Sequence, residues 1–140
     1  MNLSAYLIDT SALARLFSDP GTYPQWNWAI THGTVAVCPI TELEFLYSAR
    51  TGTHRTELVE LLNATLSPVD LDDRVFRRAW EVQRMLTARG EHRSAGPVDL
   101  LVAACAELRG LTLLHCDGDF ETIARVTDQV THRIAPKSGG

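Results

Sequence analysis

Five carboxylates recur at one kind of place in this 140-residue chain. Asp9 ends a short apolar run, Tyr6-Leu7-Ile8. Glu42 follows a second run, Thr34 to Cys38, just past Pro39. Asp99 opens the most apolar segment, Leu100 to Leu108, and Asp117 and Asp119 follow a fourth run, Leu111 to His115. Acids brought together repel unless a cation sits among them, and hard divalent cations such as Mg²⁺ or Mn²⁺ take oxygen ligands of this kind. Such a cation could activate a water and stabilise charge developing on a phosphodiester. The chemistry indicated is metal-assisted hydrolysis of a phosphate ester. It needs no histidine base, and His32, His54, His92, His115 and His132 are scattered. Each acid alone has a plainer use, as a strand-end cap, a first-turn helix acid or a turn residue. Their joint placement is harder to read as accident.

The elements that must position these acids alternate. Strands are expected at Leu3 to Asp9, Thr34 to Cys38 and Leu111 to His115, with weaker candidates at Thr65 to Val69, where Pro68 counts against it, and at Asp128 to Ile134. Helices are expected at Ser11 to Phe17, Tyr23 to Thr31, Pro39 to about Arg50, Glu57 to Ala64, Asp72 to Arg89, Val98 to Arg109 and Phe120 to Val126. Thr10 or Ser11 is the expected N-cap of the first helix, and one of the two is placed to orient Asp9 or a metal-bound water. Pro97 suits the first position of its helix. That segment is apolar all round, so it reads as a central buried helix in which Asp99 is conspicuous. Alternating short strands and helices predict an α/β fold around a largely parallel sheet. There, strand ends and the starts of the following helices share one edge.

Composition narrows the function classes. The chain is 45% hydrophobic and 21% charged, as soluble globular proteins are, and long enough for one core. Apolar runs fall short of the roughly 20 residues that span a bilayer, and the N-terminus lacks a basic signal-like region, which points to the cytoplasm. Cys38, Cys105 and Cys116 are odd in number and lack CxxC spacing, so buried thiols are expected rather than disulfides or zinc. The net charge of −4 advertises no global nucleic-acid field. One domain over residues 1–135 is expected, with a disordered tail at 136–140.

Four segments together resemble the PIN domain: Leu7-Ile8-Asp9-Thr10-Ser11-Ala12-Leu13, Thr41-Glu42-Leu43, Pro97-Val98-Asp99-Leu100-Leu101-Val102-Ala103-Ala104, and Leu114-His115-Cys116-Asp117-Gly118-Asp119-Phe120. Their order and spacing are most similar to the VapC toxins of bacterial type II toxin–antitoxin systems. The resemblance covers essentially the whole chain. It implies a three-layer α/β/α sandwich and a Mg²⁺- or Mn²⁺-dependent endoribonuclease. It also implies a homodimer held in check by a VapB-like antitoxin. Asp9, Glu42 and Asp99 match the family's first three acids. The fourth is Asp117 or Asp119, with Asp117 favoured because it lies nearer the strand end. Asp9 and Asp99 are the best candidates for direct metal ligands, with Asp117 and Asp119 beside them, and Ser11 matches the hydroxyl position after the first acid.

An acidic pocket does not attract RNA unaided. Arg74, Arg77, Arg78 and Arg93 are candidates for phosphate contacts, a solvated helix face being their plainer use. Two readings compete with the toxin: a housekeeping PIN-type RNA-processing nuclease, and a catalytically idle interaction module. The retained acids count against the second. A phosphotransfer enzyme with Asp9 as nucleophile is disfavoured, because Thr10 and Ser11 follow it where such chemistry uses Asp-x-Asp.

Overall fold

Very short strands suffice here because the central ones are covered on both faces. In the computed structural model, which describes residues 4–134, the sheet has β1 (Tyr6–Ile8) at its centre. β1 lies between β2 (Val35–Val37) and β4 (Thr112–His115), and β3 (Ser67–Pro68) and β5 (Thr131–Arg133) form the edges. All the pairings are parallel, with Leu7 opposite both Ala36 and Leu113. Parallel strands need long crossovers, and helices supply them: α1 (Thr10–Ser18), α2 (Tyr23–Thr31), α3 (Pro39–Tyr47), α4 (Gly52–Thr65), α5 (Asp73–Ala88), α6 (Pro97–Leu108) and α7 (Gly118–Thr127).

The period of two along each strand divides the core. Leu7, Ala36 and Leu113 pack with α5, α6 and α7. Ile8, Val35, Val37 and Leu114 pack with α1, α2 and α4. The result is the expected α/β/α sandwich. α6 is the central helix of its layer, with Leu100, Val102, Ala103, Ala104, Cys105 and Ala106 all buried. Gly110 stops it in a left-handed conformation, φ 68°, and Leu111 N–H turns back to the Ala106 carbonyl at 2.9 Å.

Several boundaries differ from expectation for physical reasons. Pro68 does enter a strand, because β3 is an edge and its missing N–H is not needed. α4 starts at Gly52, earlier than Glu57, since the Thr51 side chain accepts from His54 N–H and caps it. α3 ends at Tyr47, short of Arg50. The N-cap of α1 is neither Thr10 nor Ser11 but Asp9, whose carboxylate accepts from Ala12 N–H. Leu3 and the tail expected at 136–140 lie outside the described residues. Cys38 and Cys105 are buried free thiols, whereas Cys116 is half-buried.

Candidate active site

The strand order decides where the site lies. The chain runs outward from β1 to β2 to β3, then returns to place β4 on the other side of β1. The crevice between the carboxyl ends of β1 and β4 is therefore the topological switch point, where open α/β sheets bind ligands. Asp9 N–H donates to the Leu114 carbonyl at 3.0 Å, which fixes Asp9 beside the end of β4.

Asp9 is 4% exposed and tightly held. It accepts from Ala12 N–H at 2.9 Å, and the Ser11 hydroxyl reaches its two oxygens at 2.9 and 2.8 Å. Ser11 Oγ also accepts from Cys116 N–H at 3.0 Å, tying the start of α1 to the exit of β4. Of the two hydroxyls, Ser11 orients Asp9. Thr10 turns the other way, donating to Glu44 at 2.6 Å and linking α1 to α3.

Asp99 sits in the first turn of α6, where the helix dipole favours a carboxylate. Across the crevice, Asp117 caps α7 by accepting from Asp119 N–H at 3.0 Å. His115 supports that loop from beneath, its Nδ1 accepting from Asp117 N–H at 3.3 Å. The ring packs on Phe120, and burial holds its pKa below the usual value, so it is a neutral prop. Carboxylate oxygens of Asp99, Asp117 and Asp119 all lie within 4.8 Å of one another. Both candidates for the fourth acid thus join Asp99. Glu42 occupies the first turn of α3, a helix that packs against α1 and α6.

The electrostatics show what this arrangement lacks. Burial, reinforced by Asp117, Asp119 and Asp9, pushes the Asp99 carboxyl up to about 6. Asp9 is raised by burial, with Asp117 adding to it, and Asp119 is raised by burial and Asp117. Glu42 is raised by burial. Acids that resist ionising together are short of positive charge, and an all-oxygen donor set of this kind suits a hard divalent cation.

Two of the arginines considered for phosphate contacts are held in ion pairs. Arg78 is paired with Glu107 through two contacts, of 2.6 and 3.0 Å, and with Glu81. Glu107 stands near the far end of α6, about 12 Å along the axis from Asp99. Arg74 is paired with Asp72 just before α5, and Arg77 is exposed on the same end of that helix. Arg93 lies in the loop leading into α6, on the Asp99 side. Pattern reading missed the propping role of His115 and the Thr10–Glu44 link. The adjacency of His115 to Asp117 was the available signal for the first, whereas nothing local marks the second.

A parallel α/β sandwich with clustered carboxylates at its switch point defines a class of oxygen-ligand metal sites. A family profile described as the PIN domain matches residues 6–126. Ribonuclease VapC2 of Mycobacterium tuberculosis is 43% identical over 130 residues, 92% of each chain. Ribonuclease VapC21 of the same species is 40% identical over 139 residues, 94% of this chain and 95% of that one. A crystal structure of VapBC2 from Rickettsia felis, bound to a promoter DNA fragment, superposes with a TM-score of 0.78 at 18% identity, covering 94% of this chain and 99% of its match. The chain belongs to the PIN-domain family, among the VapC proteins.

Proposed function

We propose that this protein is a divalent-metal-dependent endoribonuclease, the toxin of a VapBC-type pair. The observation that carries this is the convergence of the Asp99, Asp117 and Asp119 carboxylates beside Asp9, at the switch point of a PIN fold. The relatives named ribonuclease VapC support RNA as the substrate class. We assign catalytic roles to Asp9, Glu42, Asp99 and Asp117, with Asp9, Asp99, Asp117 and Asp119 as the residues that would hold Mg²⁺ or Mn²⁺. Such a cation, when bound, would balance the acids, polarise a phosphodiester and acidify a water.

The chain's own contribution is rigidity and orientation. Ser11 fixes the Asp9 rotamer and binds it to the exit of β4. Asp117 is locked by its cap to α7 and by His115, so the two sides of the crevice hold a constant spacing. The first turns of α3 and α6 present Glu42 and Asp99 from the neighbouring helices. Arg93 remains the one member of the expected arginine set placed near the α6 start, and we assign it an RNA phosphate contact.

Exposed Leu43, Tyr47, Phe76 and Trp80 supply apolar surface of the kind partners bury. We assign that surface to a second copy and to a VapB-like antitoxin, since solved structures that share this fold are of VapBC toxin–antitoxin systems. We place the activity in the cytoplasm. Among the described residues no helix is long and apolar enough to cross a membrane.

The test is cleavage of single-stranded RNA by purified protein, with Mg²⁺ or Mn²⁺ and with chelator. Cleavage should require the cation and return on its re-addition. Cleavage that persists in chelator would sink the metal mechanism. As a control on placement, Arg78→Ala should cost about 1 kcal/mol, a loss of about 3–5 °C in Tm. Its cleavage rate should stay within about twofold of wild type, because the ion pair with Glu107 lies at the far end of α6.

A further inference from the structure

The acids that would do the chemistry repel an RNA backbone, so holding the substrate calls for attraction that does not depend on charge. We propose that the cleft between α2 and the edge strand β5 is a nucleobase subsite, where Trp28 stacks on a base of single-stranded RNA flanking the cleaved bond. This rests on the nuclease reading above and adds how the substrate is held.

The cleft has a volume of about 400 Å³, and its lining includes Tyr6, Gln25, Trp26, Trp28, His132 and Arg133. α2 turns Ala29 and Ile30 into the core. That leaves Gln25, Trp28 and His32 on one outer stripe, three and four residues apart. Trp26 is half-buried and packed, meeting Tyr6 edge-on at 5.2 Å and His132 at 5.7 Å between ring centroids. Trp28 differs from it. Its ring lies against His32, 4.1 Å away and 21° from parallel, yet the residue is 67% exposed. The indole is therefore braced on one neighbour while most of its surface stays open to a ligand.

Strand register sets this cleft beside the acids. Leu114 pairs with both Ile8 and His132, and Arg133 pairs with His115, so the upper end of the cleft is level with Asp9. Two strand spacings, about 10 Å, separate β5 from β1. Arg133 joins the two places. It lines the cleft, and its Nη1 donates to the Cys116 carbonyl at 3.3 Å, in the turn that presents Asp117. A strand whose cleaved bond lies over the acids thus has a neighbouring base within reach of Trp28. Glu121 already neutralises Arg133 at 2.7 Å, so this wall favours a flat, uncharged ring over a phosphate. Every base has a π-face, which makes stacking tolerant of sequence, while the Gln25 amide and the His132 ring offer donors and acceptors to a base edge. The apolar side chains suited to protein partners, Leu43, Tyr47, Phe76 and Trp80, lie on α3 and α5 instead.

Stacking changes affinity without releasing counterions, which separates it from a phosphate contact. Binding of a fluorescent single-stranded RNA oligonucleotide would be followed by anisotropy in Ca²⁺ buffer from about 50 to 200 mM KCl, with cleavage kinetics measured in Mg²⁺. Trp28→Ala should weaken binding about tenfold and leave the salt slope unchanged. KM should rise about tenfold with kcat within about threefold. Trp28→Phe, which keeps an aromatic face, should lose less than about threefold. A single abasic site moved along the RNA should weaken wild-type binding most at one position, and there Trp28→Ala should add nothing further. Should Trp28→Ala lose the native melting transition, Trp28→Leu carries the same expectations. Wild-type affinity and KM in a folded variant of a protein that cleaves RNA would overturn the subsite alone. So would a changed oligomeric state on size-exclusion chromatography with RNA affinity intact, which would make Trp28 a protein contact. A wild-type protein that neither binds nor cleaves RNA would overturn both the subsite and the nuclease reading.

Discussion

Asp99→Asn should lower RNA cleavage by on the order of 1000-fold while raising the melting temperature of the metal-free protein. The two effects share one cause. Asp99 is pushed up to about 6 by burial and by the acids around it. A carboxyl whose folded-state pKa exceeds its unfolded value of 3.8 favours the protonated native state. Its ionisation therefore works against folding, and stability is lost as pH rises from about 4 through about 6. Asparagine has the same shape without the charge. It forfeits the attraction between a first-turn carboxylate and the helix dipole, about 0.3–1 kcal/mol. That loss is the smaller effect, since the carboxyl is raised despite the dipole. Thermal melts in chelator should show the wild type less stable at pH 7.5 than at pH 5. Asp99→Asn should flatten that dependence and melt a few degrees higher at pH 7.5. Adding Mg²⁺ or Mn²⁺ should stabilise the wild type and not the variant. A markedly lower Tm for Asp99→Asn would instead make Asp99 a structural residue.

Asp9→Ala should abolish cleavage to a similar extent but move stability the opposite way. Asp9 carries two loads. It faces the acid cluster, and it also caps α1 and receives Ser11. Losing a helix cap costs about 1 kcal/mol, and stranding the half-buried Ser11 hydroxyl adds about another. Together these should lower Tm by roughly 5–10 °C. Asp9→Asn separates the loads, because its amide oxygen can still accept from Ala12 N–H. That variant should stay inactive and recover most of the lost Tm. If Asp9→Ala instead melted at the wild-type temperature, the cap and the Ser11 staple would be energetically idle.

The contrast between these two acids marks how far local sequence reaches. Tyr6-Leu7-Ile8-Asp9, the apolar segment after Pro97 and the run before Asp117 all announce their elements through short-range pattern. Strand content, the central α6 and the α/β class were legible for that reason, as was the placement of Asp99 and Asp117 at the starts of their helices. Pattern also placed both Asp117 and Asp119 after the same strand, and favoured Asp117 only for lying nearer its end. In space both reach Asp99, so the choice does not separate them.

Other features depend on which elements become neighbours, and a linear pattern carries little of that. Nothing between residues 9 and 117 states that β4 lies against β1, yet that pairing creates the crevice and lets Ser11 bridge Asp9 to Cys116. Local pattern put the cap of α1 on Thr10 or Ser11, whereas burial of Asp9 and the geometry of the β1 exit gave it to Asp9. The arginines of α5 look equivalent along the helix. Packing against α6 gave Arg78 to Glu107 and turned that end of the helix away from the acids. Short-range spacing chose the acids and the elements that bear them. Long-range packing decided which charges face each other, and with that where an anionic substrate can be held.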